Sequence, residues 1–203
     1  MAGMYSIPHN SDMSSSAIEL RKHMRDARRA LPPDTRLRAA NGVAEQLLQL
    51  PFAPQRGYVA GYWAVDGEMP LHAWQLQLPA ECIWCLPVLD DASGTLKFAP
   101  WRVGDDTAPN KFGIPEPVFS SSALLSAEDM AFVAMPLTAF DAAAHRIGMG
   151  GGWYDRTLGA LSAQARPRSV GVGYEIQRVD AIEPQPWDIR CDAICTESRS
   201  YFP

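Results

Sequence analysis

From Leu20 to Leu48 apolar residues return every three or four positions, whereas beyond Gly57 they gather into short unbroken runs. The first spacing predicts helices and the second predicts strands buried on both sides. Ser16-Ala-Ile-Glu19 forms a capping box that opens a helix with Leu20, Met24, Ala27 and Leu31 on one face, and Pro32-Pro33 ends it. Asp34 caps a second helix, with Leu37, Ala40, Ala44, Leu47 and Leu48 on its apolar side and Pro51 as its stop. Strands are expected at 57–63, 81–86, 95–101, 131–134 and 169–173, with a short helix near 71–78 and a longer one over 153–164. Another apolar strand follows Asp192. Residues 89–94 read as a hairpin and the proline-rich 104–118 stretch as a surface connection. Helices alternating with apolar strands predict an α/β fold in a single domain, a three-layer α/β/α arrangement around a mostly parallel central sheet.

The 203-residue length suits one hydrophobic core, and 47% apolar with 20% charged residues is ordinary for a globular protein. A net charge of -5 speaks against dedicated nucleic-acid binding, so any anion site has to be built locally. No apolar run approaches the roughly 20 residues that a membrane-spanning helix needs. The first 16 residues, with Asn10, Asp12 and Ser14 to Ser16, have no signal-peptide core. The expectation is a cytoplasmic monomer with a loose tail over residues 1–16 and one folded domain over 17–203. Cys82 and Cys85 form a C-x-x-C, and Cys191 and Cys195 a C-x-x-x-C, spacings that invite zinc. The first pair lies in a strand-like run, where an offset of three sends side chains to opposite faces, so burial as small hydrophobes is the expected role.

Candidate chemistry concentrates between Met135 and Arg156. An apolar strand runs into Arg146, then Gly148, Gly150, Gly151 and Gly152, then a helix start at Trp153 that carries Asp155. Glycines permit positive φ angles and let an anion approach the backbone N–H groups. Arg146 adds forked donors, and Asp155 is a carboxylate of the kind that holds a nucleotide's magnesium. The loop matches neither G-x-G-x-x-G, whose third glycine would fall at Trp153, nor a Walker sequence, which ends in Gly-Lys-Ser/Thr. A glycine-rich connection that merely turns the chain is the plain alternative. Arg21, Arg25 and Arg28 or Arg29 recur at helical spacing, which reads either as a solvated basic face or as charge supplied to the loop. Glu68 follows the 57–63 strand and therefore sits at a carboxyl-end rim, where open α/β sheets collect ligands. Asp141 caps or braces the loop, and Asp192 is either a turn residue or a second metal-side carboxylate. His9, His23, His72 and His145 show no metal-ligand spacing.

The segment from Met135 to Leu158 resembles the signature of the 5-formyltetrahydrofolate cyclo-ligases, also called 5,10-methenyltetrahydrofolate synthetases. It contains Pro136-x-x-x-Phe140-Asp141, Arg146-Ile147-Gly148-x-Gly150 and Trp153-Tyr154-Asp155-Arg156. Four satellites are similar to the family's in the same order: Leu20-Arg21 with Arg28, the stretch from Tyr62 to Glu68, Phe112-Gly-Ile-Pro-Glu-Pro117, and Pro186-Trp187-Asp188 with Asp192. The resemblance implies a CoA-transferase-like sheet and closure of 5-formyltetrahydrofolate to 5,10-methenyltetrahydrofolate, with ATP as co-substrate and magnesium as cofactor. It assigns ATP to Arg21, Arg146, Ile147, Gly148, Met149, Gly150, Gly151, Gly152, Trp153 and Tyr154. Folate goes to Arg21, Trp63, Glu68 and the last five of those positions, and magnesium to Asp155 and Asp192. Arg146 and Asp155 are the catalytic residues on this reading. Where many relatives carry lysine, this chain has Ala17, four positions before Arg21, and where some do, it has Gly151 in the loop; Glu68 is followed by Met-Pro-Leu. A catalytically silent nucleotide- or folate-binding module on the same scaffold is the alternative that Ala17 and Gly151 suggest, while Asp155, Arg146 and Glu68 favour the enzyme. A sugar-phosphate enzyme of similar fold leaves Glu68 and the Trp-Tyr-Asp element without a role.

Overall fold

The computed structural model describes residues 10–120 and 123–203, with the side chains of 10–16 excepted. The first nine residues of the expected tail lie outside this range. Helix α1 (Asn10–Arg29) starts six residues ahead of the expected cap, so Ser16 lies inside it. Helix α2 (Pro33–Leu48) opens on proline, not on a capping Asp34. Proline's missing N–H costs nothing in a first turn, and Asp34, one residue further in, pairs with Arg38 at 2.9 Å. The buried arc of α2 consists of Ala39, Ala40, Val43, Ala44 and Leu47; Leu37, at the margin of that arc, is exposed.

The remaining elements are β1 (Gly57–Ala60), α3 (His72–Gln75), β2 (Cys82–Asp90), β3 (Thr95–Pro100), β4 (Thr107–Pro109), β5 (Pro115–Pro117), β6 (Met130–Pro136), β7 (Ala139–Phe140), β8 (Arg146–Ile147), α4 (Trp153–Gly159), β9 (Arg168–Val172), β10 (Ala193–Cys195) and β11 (Ser200–Tyr201). Seven strands form the central sheet in the order β11-β10-β9-β6-β1-β2-β3. The five inner strands are parallel, and β11 and β3 close the edges as antiparallel hairpin partners. The proline-rich connection holds a small hairpin of β4 and β5, and β7 with β8 makes another. Helix α4 ends at Gly159, earlier than the pattern predicted, because Gly159 and Ser162 are poor helix continuers.

One face of the sheet packs Val59, Trp84, Phe132, Ala134, Val170 and Val172 against α2 and α3, with Trp74 at the centre. The other packs Ala60, Cys85, Val133, Met135 and Ile194 against Leu158 of α4 and Phe140 of β7. Cys82 and Cys85 fall to opposite sides, as an offset of three in a strand requires. No helix among the described residues is long and apolar enough to cross a membrane.

This topology fixes where a crevice opens. After β1 the chain moves to β2 on one side, whereas β6, β9 and β10 are added in turn on the other. The loops leaving the carboxyl ends of β1 and β6 therefore diverge, and the gap between them is the switch point of the sheet.

Candidate active site

Arg28, from α1, occupies that switch point and is completely buried. Its Nη1 donates to the Leu137 carbonyl beyond β6 at 3.2 Å, and its Nε donates to the Asp66 carbonyl beyond β1 at 2.9 Å. Nη2 also lies 3.2 Å from Asp66 Oδ2 and 3.6 Å from Glu68 Oε1. Arg25 and Arg29 converge on the same Asp66 carboxylate. The turn that presents Asp66 and Glu68 is tight: Asp66 has φ 53° and Gly67 φ 73°, both left-handed. Three guanidinium groups of one helix are thus tied to one carboxylate. Burial alone would raise the Asp66 carboxyl, but hydrogen bonds from Arg25 and Arg29 hold it below its ordinary value.

Glu68 is treated differently by its surroundings. It is 7% exposed, and its partners are Arg28 at a long 3.6 Å and the Val65 N–H at 3.2 Å. Burial pushes its carboxyl up to about 7, against the pull of Arg28. Buried phenols lie close by: Tyr62 donates to the Met69 carbonyl at 2.7 Å, and Tyr174 to the Glu68 carbonyl at 3.4 Å. Gln177 completes this wall by donating to the Leu137 and Thr138 carbonyls at 3.0 and 2.8 Å.

The glycine loop forms the facing wall. Gly150 has φ 98° and Gly152 φ 63°, conformations that an L side chain adopts at a cost. Arg21 of α1 donates through Nε to the Gly148 carbonyl at 3.0 Å, a bond across 127 positions of sequence. Met149 leans inward, its Sδ 3.5 Å from Thr138 Oγ1. Ile147 pairs with Ala139 across the β7–β8 hairpin, and Asp141 holds that hairpin by accepting from the Ala143, His145 and Ile182 N–H groups. The hairpin delivers Arg146, whose buried guanidinium bonds Asp155 at 3.0 and 3.4 Å. Asp155 also accepts the Ile189 N–H at 3.1 Å. The Nε of Arg146 is buried without a partner among the described residues. Trp153 and Tyr154 open α4, and burial together with the Glu68 charge raises the Tyr154 phenol.

Arg21, Glu68, Arg146 and residues 147–155 therefore lie around one crevice. Two expected members have other partners. Trp63 packs edge-on against Trp101, with ring centroids 5.4 Å apart. Asp192 sits at the start of β10, where Arg168 Nη1 donates at 2.9 Å and the Ser169 N–H at 2.8 Å. It makes no contact with Asp155. Two clefts of about 630 and 530 Å³ lie elsewhere, one lined by Trp84, Trp101 and Arg102, the other by Arg166, Arg168 and Asp192. Both are at the amino-terminal ends of the parallel strands. Buried thiols stay protonated, with burial pushing Cys85 and Cys195 to about 12 and Cys191 to about 11.

The weight carried by Asp66, Tyr174 and Gln177 was not expected from their residue types, and Arg28 was expected only as part of the basic stripe and the first-helix element. Arg28 had a signal, since it lies two helical turns from Arg21 on the same face, and Asp66-Gly67 is a turn dipeptide. Tyr174 and Gln177 had none. The chain matches the model of the 5-formyltetrahydrofolate cyclo-ligase family over residues 13–197. It is 30% identical to the 5-formyltetrahydrofolate cyclo-ligase of Escherichia coli K12 over 179 residues, 87% of this chain and 97% of that one. The Haemophilus influenzae protein of the same name is 30% identical over 174 residues, 84% of this chain and 92% of the other. The NMR structure of Aquifex aeolicus 5,10-methenyltetrahydrofolate synthetase superimposes with a TM-score of 0.77 at 29% identity, covering 92% of both chains. With this match running from helix α1 to just beyond β10, the chain belongs to the 5-formyltetrahydrofolate cyclo-ligase family.

Proposed function

We propose that the chain closes 5-formyltetrahydrofolate to 5,10-methenyltetrahydrofolate with consumption of ATP and release of ADP and phosphate. The observation that carries this reading is the docking of Arg21 on the glycine loop across from a buried, weakly paired Glu68. One crevice thereby offers a cradle for phosphates and a carboxylate for a ring rich in N–H donors.

A formyl group on nitrogen is amide-like, and its oxygen leaves poorly. In the proposed reaction that oxygen attacks the γ-phosphorus, and the bond from phosphorus to the ADP oxygen breaks. The neighbouring folate nitrogen then attacks the formyl carbon, the carbon–oxygen bond breaks, phosphate departs and the nitrogen's proton is lost. Most of the protein's work in such transfers is positioning and charge stabilisation. Arg21, whose terminal nitrogens have no protein partner among the described residues, and the N–H groups of residues 148–152 would hold the phosphates. Arg146 would hold Asp155 in place and add positive charge beneath the loop. Glu68 would accept hydrogen bonds from the pterin, and Trp63 would offer an aromatic edge. The stretch from Gly150 to Tyr154 would separate the two substrates.

Magnesium would be held by Asp155, whose Oδ2 carries only a 3.4 Å bond. Phosphate oxygens and water commonly complete such a shell. Both oxygens of Asp192 are engaged by Arg168 and Ser169, so Asp155 is the better fit. When bound, the ion would neutralise charge on the phosphoryl oxygens. The test is to mix the protein with 5-formyltetrahydrofolate and follow the conjugated product by near-ultraviolet absorbance. Product is expected only with both ATP and magnesium present. Binding of both substrates with no product would instead favour the silent module.

A further inference from the structure

We infer that Lys111, in the turn between β4 and β5, supplies the nucleotide's phosphates with a mobile positive charge at the glycine loop. The inference rests on the proposed use of ATP and adds a residue to it. Between Arg146 and Arg156 the loop contains no cationic residue of its own. Arg146 is engaged with Asp155 and Arg156 with the Gly94 and Gly151 carbonyls at 2.7 and 2.8 Å, which leaves Arg21, held through Nε on the Gly148 carbonyl, as the arginine with terminal nitrogens to offer. Lys111 arrives from a separate hairpin, with Nζ 5.2 Å from the centroid of the Trp153 ring. The same ring backs the loop, because a Cβ on Gly151 would come within 2.8 Å of Trp153 Cδ1. Trp153 therefore joins the ammonium to the loop on one surface.

Lys111 is also only weakly held. Its hydrogen-bond partner is Asp91 at 2.6 Å, and the two side chains are 48% and 62% exposed. It also lies 5.3 Å from the centroid of the Phe112 ring. An exposed ion pair and two ring faces hold an ammonium weakly, and the flexible lysine stem lets it trade one anion for another. A polyphosphate at the glycine loop carries several charges against the single charge of Asp91, so the exchange favours the nucleotide. The folate's own carboxylates are the competing anions, and kinetics separate the two.

The experiment compares wild type with Lys111→Ala, Lys111→Arg and Asp91→Ala, using steady-state kinetics for both substrates and calorimetry with ATP and magnesium alone. Lys111→Ala should raise the KM and Kd for ATP about tenfold while kcat and the KM for 5-formyltetrahydrofolate stay within about twofold. Lys111→Arg should recover most of the loss, and Asp91→Ala should bind ATP as tightly as wild type or more tightly. An unchanged ATP affinity in Lys111→Ala, a shift confined to the folate KM, or weaker ATP binding in Asp91→Ala would overturn the inference. Wild-type protein that binds ATP without turnover would count against the cyclo-ligase reading, while calorimetry would still decide Lys111.

Discussion

The two rims of the central sheet differ in a way that cavity size does not capture. The amino-terminal rim holds the two clefts of about 630 and 530 Å³, yet the charge there is matched: Asp192 has Arg168, the Ser169 N–H and the Ser169 hydroxyl. At the carboxyl-terminal rim some of the buried charge is incompletely satisfied. Glu68 relies on a guanidinium 3.6 Å away, and beneath the neighbouring loop Arg146 keeps an unpartnered Nε. Desolvated groups held short of their full complement of hydrogen bonds are the ones that a ligand can complete. Unsatisfied buried charge, more than concavity, marks the working end of this sheet.

The largest effect should come from removing the charge that joins the two walls of that rim. Arg28→Met keeps the apolar stem but leaves Glu68, Asp66 and the Leu137 carbonyl without their shared donor. Breaking a buried pair from one side costs roughly 3–5 kcal/mol, so chemical denaturation should show a loss of that order. A loss under about 1 kcal/mol, the scale of an exposed pair, would mean that the basic stripe is a solvated face after all.

Asp155→Asn should come next. If Asp155 holds the ion on ATP, turnover falls at least roughly 100-fold, about 2.7 kcal/mol in the barrier. Because Asp155 also faces the buried Arg146, the same change should cost roughly 1.5–3 kcal/mol of stability, measurable as a lower Tm. Turnover restored to near wild type at low magnesium would leave Asp155 with a purely structural part.

Much of this was legible in the chain beforehand. Apolar runs at 57–63, 81–86, 131–134 and 169–173 became inner strands, because strands covered on both faces have no polar side to blur the pattern. The glycine loop and Arg21 were legible as types, and their meeting was not, since nothing local links positions 127 apart. Arg28 was legible only as a member of the basic stripe. Helical spacing shows which residues share a face, whereas whether that face meets water or a carboxylate depends on a turn beyond β1. Asp192 could be read as a metal-side residue from its neighbours in sequence, but Arg168 and Ser169, which hold it in the fold, lie more than twenty residues away.

A smaller effect is expected from Glu68→Gln, and its sign with pH is informative. The folded protein raises this carboxyl from 4.5 to about 7, so it holds the proton more tightly than the unfolded chain does. The resulting stability is complete below the unfolded value and fades as pH climbs through the folded one. The Tm of the glutamine variant should therefore change less than that of wild type between about pH 5 and 7. If the ionised carboxylate receives the folate, kcat/KM for folate should rise as pH passes through about 7 in wild type and stay flat, about tenfold lower, in the variant. A variant with the wild-type pH profile would assign the titration to another group.

The least effect belongs to the opposite rim. Asp192→Asn should lose up to about 1.5 kcal/mol with its hydrogen bonds to Arg168 and Ser169, with turnover within a few-fold of wild type. A 100-fold fall would mean that Asp192 is drawn to the phosphates when ATP binds, and the contrast between the rims would narrow.

Hydrogen exchange with and without ATP, magnesium and 5-formyltetrahydrofolate tests the placement of the site most directly, because it reports every backbone amide in one experiment. The crevice at the carboxyl ends of β1 and β6 predicts slowed exchange at residues 65–69 and 148–155, with residues 101–105 and 163–168 unchanged. Protection confined to those two amino-rim stretches would place the ligands in the large clefts and contradict the account.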